Sequence, residues 1–254
     1  MTAIGEAMTG NDSSGGRSAG PSTAEVVAAA VRLFTSHGYA ATTMGDIAVD
    51  IGVSRRTLFR NYGSKEDLLF AEHEDVFETV QRYLSTSANT DRVAAVCEAA
   101  RMVFASFVRA PEIAVPRYHL VRALPALRDR EIAMTARYQR AFSRHLAAGE
   151  TDETRLLICA SCAASLIAAH NHVLRAWLRA PSGPLPWERF DTALEVVTEG
   201  IRDRLRVGGA AGSTQGGGRP TGEGEPDEDA VLVAVYPTRM EGAEVMRRVR
   251  QALQ

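Results

Sequence analysis

The sequence predicts an all-α fold with a short strand-and-helix extension at its C-terminus. Three observations predict it. Apolar residues recur at helical spacing almost without interruption from Ser22 to about Arg206. Serine, threonine and aspartate open these stretches at capping positions, and glycine or proline breaks them. The stretch that reads as a strand is a short one, Val231–Tyr236. With 254 residues, 45% of them hydrophobic, the chain has enough apolar material for a core in one or two domains.

Residues 1–20 are glycine, serine and threonine with scattered charges and read as a disordered arm. The first helix opens on Ser22 and Glu25 at capping-box spacing, carries Val27, Val31 and Phe34 on one stripe, and ends at Gly38. Two short helices follow within Thr43–Tyr62. Ser64 and Asp67 open another, which runs to about Leu84. Asn89–Asp91 marks a break, and Val93, Val96, Val103, Phe104 and Phe107 define a helix that Pro111 is expected to end. Pro116 and Pro125 bracket a shorter segment, Arg117–Leu124. Helical pattern resumes over Ala126–His145, over about Asp152–Arg179, and in a last stripe of Phe190, Leu194, Val197, Ile201 and Leu205. Composition changes at Gly208: residues 207–229 read as a flexible acidic linker and 230–254 as the extension.

Formal net charge is −2, with a pI near 6.3, which argues mildly against a nucleic-acid partner. Charge placement argues the other way. Between Thr42 and Lys65, Arg55, Arg56, Arg60 and Lys65 face only Asp46 and Asp50, while acid gathers at Glu223–Asp229. Three cysteines, Cys97, Cys159 and Cys162, in a chain this long fit a reducing cytoplasm better than a disulfide framework. The N-terminus shows no secretory pattern. The most apolar stretch, Leu156–Ala169, is shorter than the roughly 20 apolar residues of a spanning helix, so a buried interface helix is expected there.

The informative segment is Thr43–Tyr62. Thr43 can cap a first short helix, with Asp46 in its opening turn. Ile47 packs inward, and Ala48 is small where two helices would cross. Gly52 sits at a turn needing positive φ, and Val53 plugs the angle. Ser54 caps the second helix, whose first turn carries Arg55, Arg56 and Thr57. In a helix-turn-helix that turn enters the major groove. An arginine fork suits guanine O6 and N7, and Thr57 suits a thymine methyl or a phosphate. Arg60, Tyr62 and Lys65 lie further along and are expected on backbone phosphates. Two arginines at a helix start oppose the helix dipole, a local frustration that a polyanionic partner would relieve.

Thr43, Ile47-Ala48, Gly52-Val53-Ser54, Leu58-Phe59 and Tyr62-Gly63-Ser64-Lys65-Glu66-Asp67-Leu68-Leu69 together resemble the DNA-binding domain of TetR-family regulators, over about residues 23–70. Three positions depart from the family pattern. Ile51 stands where a small alanine is usual, and Asn61 where an aromatic or histidine is frequent. Phe59 replaces a frequent tyrosine and so lacks its hydroxyl. The resemblance still places Phe59 and Asn61 among the backbone-contacting positions. It implies a DNA-binding domain at 21–67 and a ligand-binding and dimerisation domain at 68–206. It also implies a homodimer built on the last two long helices, with an effector pocket in the larger domain. Ala160, Ala163, Ala164, Ala168 and Ala169 would permit close helix approach, at a dimer interface or inside the core. Residues 111–148 loosely resemble the C-terminal domain of mycofactocin-type TetR regulators, which are associated with acyl-CoA ligands. Candidate effector residues are Phe104, Arg117, Tyr118, Arg122 and His170; a solvated basic face is the other reading of Arg117 and Arg122.

Cys159-Ala-Ser-Cys162 has redox or metal spacing, but small buried thiols are the plainer reading. There is no GxSxG, phosphate-cradling glycine loop or HExxH, so no catalytic role, cofactor or metal is expected. The expected partners are operator DNA, a small-molecule effector and a second copy of the chain, in the cytoplasm and without a membrane. The competing reading, motivated by the overall acidity and the extension, is a ligand-binding or protein-interaction module that regulates no operator.

Overall fold

The computed structural model describes residues 20–87, 91–181 and 183–210. Those residues contain nine helices and no strand: α1 (Thr23–His37), α2 (Met44–Asp50), α3 (Arg55–Tyr62), α4 (Lys65–Thr86), α5 (Arg92–Val108), α6 (Pro111–Ala123), α7 (Pro125–Leu146), α8 (Glu153–Arg179) and α9 (Trp187–Ala210). The expected N-terminal arm before Gly20 and the expected strand-and-helix extension lie outside the described residues.

Local chemistry sets most of the ends. Ser22 and Glu25 form the capping box that opens α1, with the Ser22 N–H donating to the glutamate at 2.7 Å. Asp91 and Asp152 cap α5 and α8 through their carboxylates. The prolines behave differently from expectation. Pro111 does not end a helix; it opens α6 at a first-turn position, where its missing N–H would have had no partner anyway. Pro116 then lies inside α6, removing one backbone bond without breaking the helix. The last helix also runs past Arg206, through Gly208 and Gly209 to Ala210.

Side chains gather into two cores. The smaller one unites Val27, Ala30, Phe34, Ile47, Ala48 and Leu58 from α1–α3 with Leu68 and Leu69 of α4. The larger one is built from α4, α5, α6, α7, α8 and α9, and includes Phe77, Val96, Phe104, Phe142, Leu166 and Phe190. Three helices belong to both, α7 placing Leu127 in the smaller core and Met134, Tyr138 and Phe142 in the larger. In α4, Leu68–Ala71 pack below while Phe77, Val80 and Leu84 pack above. In α6, Val121 packs in the smaller core and Ala114 in the larger. Three arginines from α6 and α7 also grip acids of α4. Arg130 meets Asp67 at 2.5 Å, Arg117 meets Glu72 at 3.1 Å, and Arg137 meets both oxygens of Glu74 at 2.6 and 2.7 Å. Movement of α6 or α7 is therefore felt along α4 and at the base of the small core.

Helix α8 is the one helix among the described residues that is long and apolar enough to cross a membrane by length and composition. The sequence reading had judged this stretch too short. The difference arises because the helix runs on past Ala169 to Arg179. Its Cys159, Cys162, Ala163 and Leu166 are buried in the larger core.

Candidate nucleic-acid interface and effector cavity

The helix-turn-helix is assembled by short-range bonds. The Thr43 hydroxyl caps α2 by accepting from the Asp46 N–H at 3.2 Å, and Asp46 returns the bond by accepting from the Thr43 N–H at 2.7 Å. Gly52 takes φ +71, a backbone state costly for a residue with a Cβ. The chain then folds back so that the Val53 N–H donates to the Ala48 carbonyl at 2.9 Å. Ser54 caps α3 through the Thr57 N–H at 3.0 Å, and its hydroxyl also lies 2.8 Å from that of Thr57. The Thr43, Ser54 and Thr57 hydroxyls are thus all engaged within the motif.

Only Leu58 of α3 is buried. Arg55, Arg56, Phe59, Arg60 and Asn61 are exposed on it. Unlike α1, α2 and α4, this helix has no acid in its first turn, so its N-terminal partial positive charge is reinforced by two guanidiniums. The Arg55 guanidinium sits over the Phe59 ring, 5.3 Å from its centre, which restricts its rotamers before any partner arrives. Gly45 lies beside the stem of Arg55: a Cβ there would stand 3.9 Å from the arginine Cδ.

Lys65 has a task that the sequence did not reveal. Its ammonium donates to the Tyr39 carbonyl at 2.7 Å and the Thr42 carbonyl at 2.9 Å, and lies 4.3 Å from the Tyr39 ring centre. It ties the start of α4 to the α1–α2 turn. Tyr39 in turn donates to Glu66. Lys65→Met is expected to lower unfolding free energy by about 1–3 kcal/mol, because two buried-side carbonyls lose a charged donor. Urea denaturation measures this; an unchanged midpoint would return Lys65 to a purely surface role.

A cavity of about 80 Å³ lies in the larger domain between α4, α5, α6, α7 and α8. Most of its wall is apolar or aromatic. Arg117, Tyr118 and His170 line it, as the sequence suggested. Phe104 and Arg122 do not. Phe104 is completely buried behind the wall, stacked on Phe190 of α9 with ring centres 4.0 Å apart and T-shaped to Trp187 at 5.2 Å. Arg122 is exposed at the end of α6, and its carbonyl accepts from Arg128 at 2.8 Å. The residues missed are His73 on α4, Glu131 and Tyr138 on α7, and Asn171 and Arg175 on α8. Arg175 bonds Glu131 at 3.2 Å. Both cavity arginines therefore have carboxylate partners, since Arg117 holds Glu72.

The family model for bacterial regulatory proteins of the TetR family matches residues 26–71, which span α1 to the first turns of α4. A protein of Mycobacterium tuberculosis, described as a mycofactocin biosynthesis transcriptional regulator, MftR, is 26% identical over 177 residues, covering 69% of this chain and 88% of that one. A crystal structure from Syntrophomonas wolfei, described as a TetR-family transcriptional regulator, superposes with a TM-score of 0.54 at 18% identity, over 71% of this chain and 94% of that one. The fatty acid degradation regulator FadR of Bacillus halodurans shares the fold as well, with a TM-score of 0.51 at 16% identity, over 68% and 95%.

The chain is a TetR-family transcriptional regulator.

In this TetR-family regulator the departures from the family pattern have local explanations. Ile51 is half-buried against the small core, which has room for its side chain at the end of α2. Phe59 lacks a hydroxyl but offers the ring beneath Arg55. Tyr62 is half-buried against the small core rather than fully presented outward. The CxxC thiols are both buried, and burial pushes Cys162 up to about 12, far from a reactive thiolate.

The regulator's cavity histidines make it sensitive to acid. Burial lowers His170 from 6.5 to about 4 and pushes His73 well below its ordinary value, with Arg117 adding to the effect on His73. Below their ordinary range the unfolded chain takes up protons that the native histidines refuse. Stability present at neutral pH is therefore lost as pH falls from 6.5 toward 4. The expected loss is up to about 1.4 kcal/mol per pH unit for each histidine, read as a falling urea midpoint. His170→Phe should flatten its share of that slope; an unchanged slope would refute the assignment.

Proposed function

We propose that this regulator is a homodimeric repressor that leaves a palindromic operator when a small molecule fills the cavity. The observation that carries this reading is α6. It walls the cavity through Ala114, Arg117, Tyr118 and Val121, and Val121 also sits in the core of the DNA-binding unit. A ligand that pushes on this helix shifts α1 and α4, and with them the angle of α3 to its partner's α3. The effector must bind the DNA-incompetent arrangement more tightly, since equal affinity for both would shift nothing.

In this scheme residues 21–67 bind DNA, and residues 68–206 hold the effector and the dimer contact. Arg55, Arg56 and Thr57 meet base edges. Arg60, Asn61 and Tyr62 meet phosphates, with Thr43 and Ser54 holding the frame and Phe59 propping Arg55. The dimer forms on α8 and α9, where Leu157 and Val196 stand 66% and 70% exposed in the protomer beside Ser161 and Ala168. Such a regulator works in the cytoplasm, where its operator is.

The test is a salt series of binding to the DNA upstream of its own coding region. A steep fall of affinity with salt, together with discrimination against scrambled DNA, supports operator binding. Flat, sequence-blind binding would instead favour an interaction module that regulates no operator.

A further inference from the structure

One half-used guanidinium in the cavity wall says more about the effector than the cavity's size. Arg117 of α6 lines the cavity and is only 5% exposed. Its guanidinium lies over the ring of Phe107, another lining residue, 5.6 Å from the ring centre. It gives one hydrogen bond to the protein, from Nη1 to Glu72 of α4 at 3.1 Å. Its Nε and Nη2 have no hydrogen-bond partner among the described residues, and both keep accessible surface. These two atoms carry the parallel N–H pair of the fork. Arg101 shows what that edge can do: its Nε and Nη2 both donate to a single oxygen of Asp191, at 2.9 and 2.7 Å. Arg117 therefore presents a ready site for one oxygen acceptor, and a ligand that supplies it gains a charge-assisted bond.

Charge decides what kind of oxygen fits. The Arg117 charge is already matched by Glu72, and the Arg175 charge by Glu131 at 3.2 Å. Burial keeps the lining histidines, His73 and His170, uncharged at neutral pH. A carboxylate would lose its water to enter a site of no net charge and would meet Glu131 there; a neutral carbonyl loses far less. Phe70, Met134, Phe142 and Leu174 make the remaining wall apolar, and about 80 Å³ suits a compact hydrocarbon body.

We infer that the effector is a small, uncharged, mostly apolar carbonyl compound, a ketone, ester or lactone, whose oxygen accepts from Nε and Nη2 of Arg117. This rests on the effector-binding reading above and narrows it. It sets aside free carboxylates and the polyanionic thioesters of coenzyme A. The ligand sits on the residue whose other edge ties α6 to α4, two of the helices that enter both cores.

The test is isothermal titration calorimetry on the full chain without DNA. The probes are cyclohexanone, its hydrocarbon isostere methylenecyclohexane, the anion cyclohexanecarboxylate, and decanoyl-CoA. The ketone is expected to bind at least about tenfold more tightly than the isostere, the worth of a hydrogen bond from a charged donor, with both anions weaker. Arg117→Met combined with Glu72→Met removes the ion pair whole and leaves no lone buried charge, so it should bind ketone and isostere alike. In the wild-type chain the NMR signal of the Arg117 Nε–H should move downfield on adding the ketone and not on adding the isostere. That measurement stands even if the double variant does not fold. Tighter binding of either anion, a ketone preference that survives the double substitution, an Nε–H signal indifferent to the ketone, or binding of none of the probes would each overturn the proposal. A chain that binds its operator but prefers an anion loses this proposal alone. A chain that binds no operator loses the regulator reading, whatever its probe ranking.

Discussion

Replacing Arg55 and Arg56 together with alanine is expected to abolish specific operator binding while leaving the protein as stable as before or slightly more so. Each guanidinium that forks onto a guanine is worth about 1–3 kcal/mol of discrimination, or roughly 5- to 150-fold in affinity. The two neighbours share one helix turn, so their losses will not be strictly additive. Stability should not fall, because both side chains are exposed and neither appears among the hydrogen bonds or ion pairs of the fold. It can rise, because α3 has no acid in its first turn and two cations there oppose the helix dipole. Alanine is also the better helix former. A salt-controlled mobility shift and a thermal melt of the same protein separate these effects. Wild-type affinity in the double variant would show that α3 is not the recognition helix. Lower affinity accompanied by a lower melting point would mean that the arginines act through the fold.

Phe104→Ala is expected to be the most damaging single core change. The side chain is completely buried, stacked at 4.0 Å on Phe190 and edge-on to Trp187 at 5.2 Å. Truncating such a phenylalanine costs about 3–5 kcal/mol, part in lost transfer energy and part in the void left behind. For a domain of this size that is a melting-point drop of roughly 6–20 °C. A variant that melts like wild type but changes effector affinity would put Phe104 back in the pocket.

The DNA-binding unit was readable in advance because its determinants are close neighbours in the chain. Thr43 and Asp46, Ala48 and Val53, Ser54 and Thr57 meet across three to five residues. Each meeting has a stereotyped residue choice, and Gly52 at positive φ marks the turn. The same unit also holds what was not readable. Lys65 looks like a phosphate ligand by charge and position, yet its ammonium is held by carbonyls more than twenty residues upstream. Nothing in local pattern distinguishes a lysine that faces solvent from one that bridges two helices.

The cavity shows the limit more fully. Arg117, Tyr118 and His170 line the cavity, and the first two lie on the segment that Pro116 and Pro125 bracket. Arg122 lies on that segment too and points to solvent; one helical turn and a little over separates it from Arg117, enough to change faces. His73, Glu131, Tyr138, Asn171 and Arg175 come from three helices and converge only when those helices pack. Pro111 and Pro116 misled for a related reason. A proline's effect depends on its position relative to a helix start, and α6 starts at Pro111 because packing on both cores favours it.

By itself, then, the sequence determined the helical periods, their caps, the glycine turn at Gly52 and the guanidinium-bearing first turn of α3. These are set by interactions within about one helical turn, whose energies depend on residue type and spacing alone. Tertiary structure decided which charges are matched, which face of α6 meets which core, and that the Nε2 of His170 is buried without a partner. Those outcomes depend on side chains tens of residues apart meeting at one place, and on the burial that follows. No local pattern records either one.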